Sequence, residues 1–391
     1  MKILLLAPHP FYQERGTPIA VRLLLRVLSE RGETVDVLTY PEGEDVAIPN
    51  VTIHRIPRPP FVRNIPPGPS WKKIACDAVM FFKAWRMARP ERYDIVHAVE
   101  ESVFMAMFLR RFRGIPYVFD MDSSMPQQIV DKFPRLAFLA SALRRLESRA
   151  IRGAAAVVPM CDALADLAKA HSAERVVVLR DISLLGDAAP AGAAATPAPA
   201  ARPPGFRFMY IGNLESYQGI DLLLESFALV AKRRPDARLA IAGGARPDIE
   251  AYQRKAEALG IGASVEFLGH QPLAAMGALF ESADALVSPR VQGKNTPMKI
   301  YSYLDSGRPI VATDLPTHTQ VLSPATAMLA APNPDAFAAA MLRLAEDAAL
   351  RASLASAAKA LAQREYSFAV YRRTLNTLYD DLASALIRRT C

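Results

Sequence analysis

The sequence predicts an α/β protein of two domains, each a parallel β-sheet covered by helices. Short apolar runs alternate with amphipathic segments up to residue 185, a stretch of alanine, proline and glycine follows, and the alternation then begins again. At 391 residues and 51% hydrophobic, the chain is long enough to bury two cores.

The first domain is predicted from five apolar runs, which we interpret as buried strands: KILLLAP, TVDVLTY, YDIVHAV, IPYVFDM and AAAVVPM. The helix after the first run begins at Thr17-Pro18 and ends before Gly32. A hydroxyl residue followed by proline is typical of a helix start, and glycine is typical of a helix end.

The segment Gly186–Gly205 consists almost wholly of alanine, proline and glycine, and we interpret it as an interdomain linker. Five further strands are predicted after it: FRFMYIGNL, ARLAIAGG, SVEFLGH, ADALVSPR and RPIVATD. A last amphipathic stretch runs from roughly Ala358 to Leu386. Two such domains would place a cleft between the carboxyl ends of their sheets, which is the usual ligand site of these folds.

The bulk properties narrow the functional classes. A net charge of +8 favours anionic partners. The sequence contains no motif of a nucleic-acid-binding module, so we do not expect nucleic acid to be the partner. Three distant cysteines indicate a reducing compartment and no disulfide framework. The opening MKILLLAPHP is too short for a signal peptide, and no apolar run reaches the ~20 residues of a membrane span. We expect a cytoplasmic protein that is soluble or lies on a membrane surface.

The segment GKNTPMKIYSYLDSGRPIVATD contains a second Thr-Pro helix start, at Thr296. Lys299 falls in its first turn, Arg290 and Lys294 precede it, and no acid occurs before Asp305. Cations are unfavourable at the positive end of a helix unless an anion binds among them. Because both Thr-Pro starts follow strand–loop segments, we expect them at the cleft, where they would suit a diphosphate.

Several blocks in order resemble the GT-B glycosyltransferases, in particular the retaining family-four type. The blocks are LLLAPHPFYQERGTP, DIVHAVEES, YIGNLESYQGIDLLLESF, VEFLGHQPL and NTPMKIYSYLDSGRPIVATD. The resemblance covers nearly the whole chain. It implies two Rossmann-like domains, an acceptor-binding domain at 1–186, a linker at 187–205, a nucleotide-sugar domain at 206–365, and a C-terminal helix at 366–391 that packs back on the first domain.

The resemblance also assigns roles to individual positions. Gly16 would offer its amide to the diphosphate, the loop starting at His270 would flank the base, and backbone amides from Asn295 to Met298 would bind the distal phosphate or sugar. The expected donor-binding residues are Gly16, Thr17, Gly212, Asn213, Gln218, His270, Arg290, Lys294, Asn295, Thr296, Pro297, Met298, Lys299 and Ser302.

The chain departs from the family pattern at the donor site. Relatives carry Arg and Lys where this chain has Asn213 and Gln218, and two glutamates of an E-x7-E pattern where it has Lys294 and Ser302. Ser302 would contact a ribose hydroxyl only singly. We infer that positive charge has moved to Arg290, Lys294 and Lys299, so that the total charge on the diphosphate is similar.

Acidic residues and one histidine are candidates for the acceptor side. Asp122 stands where relatives have a histidine, and we expect it to contact the sugar or the acceptor, or to act as a base. Glu100, Glu101 and His9 are expected to bind acceptor hydroxyls, although Glu100 and Glu101 also fit a plain helix start. Asp120-Met121-Asp122 spells D-x-D, but it lies in the wrong half for a donor metal, and we expect no metal and no cofactor.

The segment Pro67–Asp94 combines aromatic, aliphatic and basic residues, a composition that suits an anionic membrane surface. An amphipathic helix packed on the sheet explains the same pattern. The residues concerned are Trp71, Lys72, Lys73, Ile74, Met80, Phe81, Phe82, Lys83, Trp85, Arg86 and Arg89. We favour membrane contact on the inner face of the cytoplasmic membrane, which fits a lipid-linked acceptor.

The sequence therefore predicts a metal-independent, hexosyltransferase-type glycosyltransferase that moves a sugar from a nucleoside diphosphate to an acceptor hydroxyl, on a lipid or a glycan, with retention. Two alternatives stay open. One is a catalytically degenerate GT-B protein that acts as a binding subunit, and the other is a nucleotide-sugar epimerase on the same fold. A nicotinamide dehydrogenase fits poorly, because the first strand–helix turn lacks the G-x-G-x-x-G spacing.

Overall fold

The computed structural model describes residues 1–66, 68, 70–185, 204–293 and 295–390. The chain forms two units, one of Met1–Arg180 with Tyr371–Cys391 and the other of Asp181–Val370. All but the last two residues of the predicted linker lie outside the described residues, and so does Lys294.

The first unit contains six strands and the helices around them. Its strands are β1 Lys2–Ala7, β2 Thr34–Thr39, β3 Val51–Arg55, β4 Ile95–Val99, β5 Tyr117–Met121 and β6 Ala156–Pro159. Its helices are α1 Gly16–Glu30, α2 Trp71–Met87, α3 Val103–Arg113, α4 Met125–Lys132, α5 Ala140–Gly153 and α6 Asp162–Ala170.

The second unit repeats this plan. Its strands are β7 Arg207–Ile211, β8 Arg238–Ala242, β9 Val265–Gly269, β10 Ala285–Ser288, β11 Ile310–Thr313 and β12 Met328–Ala330. Its helices are α7 Ile220–Arg233, α8 Arg246–Ala258, α9 Met276–Ser282, α10 Lys299–Asp305, α11 Pro316–Thr319, α12 Pro334–Glu346 and α13 Ala348–Glu365. A final helix, α14 Phe368–Thr390, passes from the second unit to the first.

Both sheets have the same doubly wound order. The strands run β3-β2-β1-β4-β5-β6 in the first and β12-β11-β10-β7-β8-β9 in the second, and the paired strands are parallel. The strands β1, β4 and β7 are almost fully buried because helices cover both faces. The α/β prediction with two Rossmann-like sheets is confirmed.

Helix α14 packs against the first unit through polar and apolar contacts. Tyr379 and Leu375 are fully buried, and the Tyr379 hydroxyl lies 2.8 Å from His97 Nδ1. Arg31 Nη2 donates to Asp380 at 2.8 Å. Burial of each large side chain contributes roughly 1.5–3 kcal/mol, which fixes the end of the chain on this unit.

Two short strands were absent from the sequence-based assignment. β3 lies at one edge of its sheet and is only partly buried, so its sequence VTIHR lacks a continuous apolar run. β12 has three residues, too few to give a periodic signal. The predicted stretch from Ala358 to Leu386 is divided between α13 and α14 by a break at Tyr366 and Ser367.

The predicted Thr-Pro helix caps are wrong. α1 begins at Gly16, so Thr17 lies inside its first turn, and no side chain caps it. α10 begins at Lys299, three residues after Thr296, because the Pro297 carbonyl accepts a hydrogen bond from the Ile300 N–H at 2.9 Å and closes a tighter turn first. The Thr296 hydroxyl is buried and has no hydrogen-bond partner within the described part of the chain.

Helix α2 has one exposed and one buried face. Trp71, Ile74 and Phe82 are 60 to 70% exposed. Lys73 and Met80 are buried, so their inclusion in a membrane-contacting set is wrong. The Ser70 hydroxyl caps the helix by accepting from the Lys73 N–H at 3.3 Å. In the described part of the chain, no helix combines the length and apolarity that crossing a bilayer requires.

Candidate functional site

The first and fourth strands of each sheet are neighbours, and this arrangement creates a switch point at their carboxyl ends. In the second unit β7 lies beside β10, and the chain leaves these strands toward opposite edges of the sheet. Ligands of doubly wound folds bind in the crevice at such a point. The residues that follow β7 and β10 therefore define the first part of the candidate site.

Two cations lie in this part of the second unit. Lys299 Nζ is 3.9 Å from the centroid of the Tyr210 ring and donates to Gln218 Oε1 at 3.2 Å. The Arg290 guanidinium carbon is 5.2 Å from the centroid of the Tyr217 ring. Among the described residues, no acid acts electrostatically on either cation. We call Arg290 and Lys299 the cation pair.

The cation pair is short of negative charge. Burial lowers the pKa of Lys299 well below its ordinary value, and the neighbouring Arg290 charge lowers it further. Burial also lowers the pKa of Arg290. Two adjacent cations on aromatic faces, without a counter-ion, are stabilised by any anion that binds between them.

A glycine allows Lys299 to approach the end of β7. A Cβ at Gly212 would lie 2.8 Å from the Tyr210 hydroxyl and 3.2 Å from Lys299 Nζ. The Tyr210 hydroxyl donates to the Asn213 carbonyl at 2.6 Å, and Asn213 Nδ2 donates to the Tyr217 hydroxyl at 3.3 Å. Gly212, Asn213 and Gln218, three predicted donor-binding residues, thus lie together with the cation pair.

A buried histidine supports the loop that carries Arg290. His318 Nδ1 is 3.0 Å from the Thr313 carbonyl and Nε2 is 2.8 Å from the Ser288 hydroxyl. Burial lowers the pKa of His318 to about 3, so the ring is neutral. The Thr313 hydroxyl donates to the Arg290 carbonyl at 2.5 Å. His318 therefore has a structural role.

The remaining predicted donor residues of the second unit have varied environments. Ser302 is buried and its hydroxyl accepts from the Leu184 N–H at 3.1 Å. The Asn295 carbonyl accepts from the Thr317 hydroxyl at 2.7 Å. His270 is exposed and follows β9, at the edge of the sheet. The donor roles of Ser302, Asn295, Thr296, Pro297, Met298 and His270 stay predictions.

The first unit has its own switch point, between β1 and β4. Gly16 begins α1 in the segment after β1 and is exposed, and a Cβ there would meet no atom within 4 Å. The fold of this unit therefore does not itself require glycine at position 16. Thr17, the next residue, is partly buried.

A group of acids surrounds one lysine at the same end of the sheet. Glu100 and Glu101 follow β4 directly, and Glu101 forms an ion pair with the buried Lys73 of α2. One turn along α2, Asp77 accepts a 2.6 Å hydrogen bond from the buried Tyr40 hydroxyl. We call Glu100, Glu101, Asp77, Asp120 and Lys73 the acid cluster.

Two members of the acid cluster hold protons unusually tightly. Burial, reinforced by the charge of Glu101, raises the pKa of Glu100 to about 7. Burial and Glu101 likewise raise the pKa of Asp77 to about 7. Glu100 also has a φ of +49°, a left-handed conformation that is costly for a residue with a side chain.

His9 lies after β1, the neighbour of β4. It is 5% exposed, its Nδ1 lies 3.1 Å from the Pro10 carbonyl, and its Nε2 is buried without a partner. Burial lowers the pKa of His9 to about 3, so the ring is neutral. A carbonyl only accepts, so Nδ1 carries the proton and Nε2 presents a lone pair.

Asp122 follows β5 and is partly buried. Asp120, two residues earlier, lies 3.3 Å from His97 Nε2. The described residues contain no group of three or more His, Cys, Asp or Glu side chains that could hold a metal ion. Asp120 thus lies in β5 and Asp122 lies just after it. The role of Asp122 stays a prediction.

Several residues of these clusters were missed in the sequence. Tyr210, in β7, and Tyr217, in the turn Ser216–Gln218, gave no signal, because aromatic residues are common in strands and turns. Lys73 and Asp77 had a detectable signal: they share the apolar face of α2 with Cys76 and Met80, at positions where charges are rarely placed unless they are paired.

Two family models match this chain, each mainly within one of the two units. A model of the glycosyl transferase 4-like domain matches residues 15–181, and a model of glycosyl transferases group 1 matches residues 205–347. The phosphatidyl-myo-inositol mannosyltransferase of Mycobacterium leprae is 25% identical over 390 residues, which is 98% of each chain.

Solved structures share the fold. The sucrose-phosphate synthase of Thermosynechococcus elongatus superposes with a TM-score of 0.75 at 18% identity, over 98% of this chain and 99% of the other. The Anabaena protein HepE, in complex with UDP-glucose, superposes with a TM-score of 0.70 at 17% identity, over 97% of this chain and all of the other.

Proposed function

The chain belongs to the group 1 glycosyltransferases of family four, which have the GT-B fold, and we propose that it acts as a hexosyltransferase. In the proposed reaction, a hexose passes from a nucleoside diphosphate sugar to a hydroxyl of a lipid-linked or glycan acceptor, with retention. In this proposal the second unit binds the donor and the first unit binds the acceptor. The reaction uses neither a metal nor an organic cofactor.

The observation that carries the proposal is the cation pair. Arg290 and Lys299 lie at a switch point, on aromatic faces, without acidic neighbours in the described residues. A diphosphate provides the missing negative charge, and cationic donors form strong hydrogen bonds with its oxygens. The complex of HepE with UDP-glucose and the mannosyltransferase activity of the Mycobacterium leprae relative support a nucleotide-sugar donor.

The position of Lys299 supports the inferred relocation of charge. Gln218 stands where family members carry a cation, and Lys299 Nζ donates to the side chain of Gln218. The ammonium group of α10 thus reaches the position from which the usual cation is missing. In the proposal, this group and Arg290 grip the diphosphate in place of the family's Arg and Lys.

The cation pair also suits the chemistry of transfer. The bond between the anomeric carbon and the diphosphate oxygen breaks, and the leaving nucleoside diphosphate takes the electron pair. The acceptor oxygen bonds to the anomeric carbon on the same face, and its proton passes to the departing phosphate. Fixed cations near the leaving oxygens stabilise the charge that develops there. Asp122 contacts a hydroxyl of the sugar or the acceptor.

Thermal unfolding with UDP and GDP, followed by a panel of UDP- and GDP-sugars, tests the donor. We expect one nucleoside diphosphate to raise the melting temperature of the native protein and to lose this effect in Lys299→Ala. Lys359→Ala, an exposed lysine of α13, is the control. Equal protection of native protein and Lys299→Ala, or no protection of either, would contradict the proposal.

The acceptor is proposed to lie in an anionic membrane surface, at the inner face of the cytoplasmic membrane. On α2, the exposed residues Trp71, Ile74 and Phe82 accompany the exposed Arg86. The neighbouring α3 adds Phe112, 58% exposed. Aromatic side chains among cations are typical of proteins that bind the interface of anionic bilayers. We call this surface the α2–α3 surface.

A further inference from the structure

The acid cluster contains more carboxyl groups than one lysine can neutralise. Lys73 forms an ion pair with Glu101, the residue that follows Glu100 at the end of β4, and the charge of Glu101 acts on Glu100. Two adjacent carboxyl groups in a poorly solvated site are not both ionised without strong repulsion. Because the pKa of Glu100 is raised, the proton resides on Glu100.

Every element around Glu100 contributes a charge or a titratable group. Lys73 and Asp77 come from α2, Asp120 from β5 and Arg15 from the segment before α1. His97 of β4 contacts Asp120. Lys73 and Arg15 are the cations, and both favour ionisation of Glu100. Burial and the other carboxylates outweigh them, which raises the pKa of Glu100 to about 7.

An independent observation at this edge indicates a ligand. His9 is only 5% exposed, and its Nε2 has no hydrogen-bond partner among the residues that the structure describes. His9 and Glu100 follow the carboxyl ends of β1 and β4, which are paired strands, and the charge of Lys73 acts on both residues. A buried acceptor nitrogen without a partner is costly unless a ligand donates to it.

We propose that Lys73 and Glu101 hold Glu100 as a neutral carboxylic acid, and that Glu100 and the neutral His9 together bind an uncharged hydroxyl-bearing part of the glycosyl acceptor. This inference rests on the proposed function. Glu100 offers a hydrogen-bond donor and an acceptor, and His9 Nε2 offers an acceptor. The surrounding carboxylates repel phosphate, so an anionic group of the acceptor binds elsewhere. Lys73 is a positioning residue.

Infrared difference spectroscopy across about pH 5 to 9 tests the protonation state without any substrate. We expect a protonated-carboxyl band that titrates near neutral pH with contributions from Glu100 and Asp77, and Glu100→Gln should remove the Glu100 contribution. In Lys73→Met the band should titrate at higher pH, because a stabilising cation is gone, and Lys73→Arg should restore the native midpoint. Lys169→Met, an exposed lysine of α6, is the matched control. A band unchanged by Glu100→Gln or by Lys73→Met would overturn the proposal.

A kinetic measurement adds the acceptor. With phosphatidylinositol vesicles as the acceptor probe and UDP- or GDP-sugars as donors, we expect the acceptor KM of the native protein to rise as pH increases through neutrality. Lys73→Met should move this profile to higher pH, whereas a purely structural lysine would lower activity at every pH. A profile that Lys73→Met does not move would contradict the proposal. Absence of transfer at every pH, with the infrared titration intact, would instead count against the proposed function.

Discussion

The two units place opposite charges at the same point of the same sheet topology. At the carboxyl ends of β7 and β10 lie Arg290 and Lys299, two cations on which no acid of the described residues acts. At the carboxyl ends of β1 and β4 lie Glu100 and Glu101, with more acids than bases. The shared strand order thus creates a ligand position at the carboxyl ends of the first and fourth strands of each sheet. The side chains at that position decide whether it suits an anion or neutral hydroxyl groups.

The largest effect is expected from removing one charge of the cation pair. We expect Lys299→Ala to lower kcat/KM for the donor about 100-fold, the usual cost of losing one group that stabilises a developing anion. Lys299→Arg should retain most of the activity. Steady-state kinetics with the donor found by the panel measure the effect, and Lys359→Ala should match the native protein.

A second comparison concerns the two glycines near these edges. Gly212→Ala brings a methyl group within 2.8 Å of the Tyr210 hydroxyl, so we expect a loss of about 1–3 kcal/mol in the free energy of unfolding. Gly16→Ala meets no neighbouring atom and should leave stability unchanged while weakening nucleotide binding. Urea unfolding and calorimetry with the nucleotide measure both. Destabilisation by Gly16→Ala would show that glycine is needed for folding there.

The acid cluster should make stability depend on pH. The pKa of Glu100 is raised from 4.5 to about 7, so folding binds its proton, and this contribution is complete below about pH 4.5 and lost as pH rises through 7. Glu100→Gln keeps a neutral side chain. We expect it to gain about 1–2 kcal/mol over the native protein above pH 7, after allowance for partial exposure, and nothing near pH 4.

Urea unfolding of both proteins at several pH values measures this difference. Glu147→Gln is not a suitable control, because the Glu147 carboxylate accepts hydrogen bonds from Ser124 and the Met125 N–H. Glu174→Gln, an exposed acid of the first unit, is suitable. A difference between Glu100→Gln and native protein that does not change with pH would refute the expected linkage.

The smallest effect is expected at the α2–α3 surface. Neutralising Arg86 should weaken binding to anionic vesicles by about 1 kcal/mol, roughly five-fold, because each cation near such a surface contributes about that much. Trp71→Ser should weaken binding to neutral and anionic vesicles alike. Flotation with and without phosphatidylserine separates the two contributions. Unchanged flotation for both variants would exclude this surface as the membrane contact.

Most of the fold was predictable because the central strands leave a clear pattern. β1, β4 and β7 lie between helix layers, so all their positions except Lys2, His97 and Arg207 are apolar, and the runs are easily recognised. The edge strands β3 and β12 were not found, since partial exposure and short length remove that pattern.

Unbalanced charge along the chain drew attention to part of the candidate site. Arg290 and Lys299 were predicted because no acid accompanies them in sequence, and they do lie close together, but their donor-binding role stays a prediction. The Thr296 cap was wrong because the tertiary environment closes a turn at Pro297 and moves the helix start. Lys73 was assigned to the membrane side, since sequence alone does not show that the partner of a lysine on an apolar face lies at the end of a distant strand.

Helix α2 separates two neighbouring lysines. Lys72 reaches outward and donates to the Arg63 carbonyl at 2.6 Å, whereas Lys73 is buried against Glu101. A block substitution of both residues would alter lipid attraction and the protonation of Glu100 in one step. The lysines of this helix therefore have to be substituted one at a time, because Lys72 affects vesicle affinity whereas Lys73 affects the pH dependence of acceptor binding.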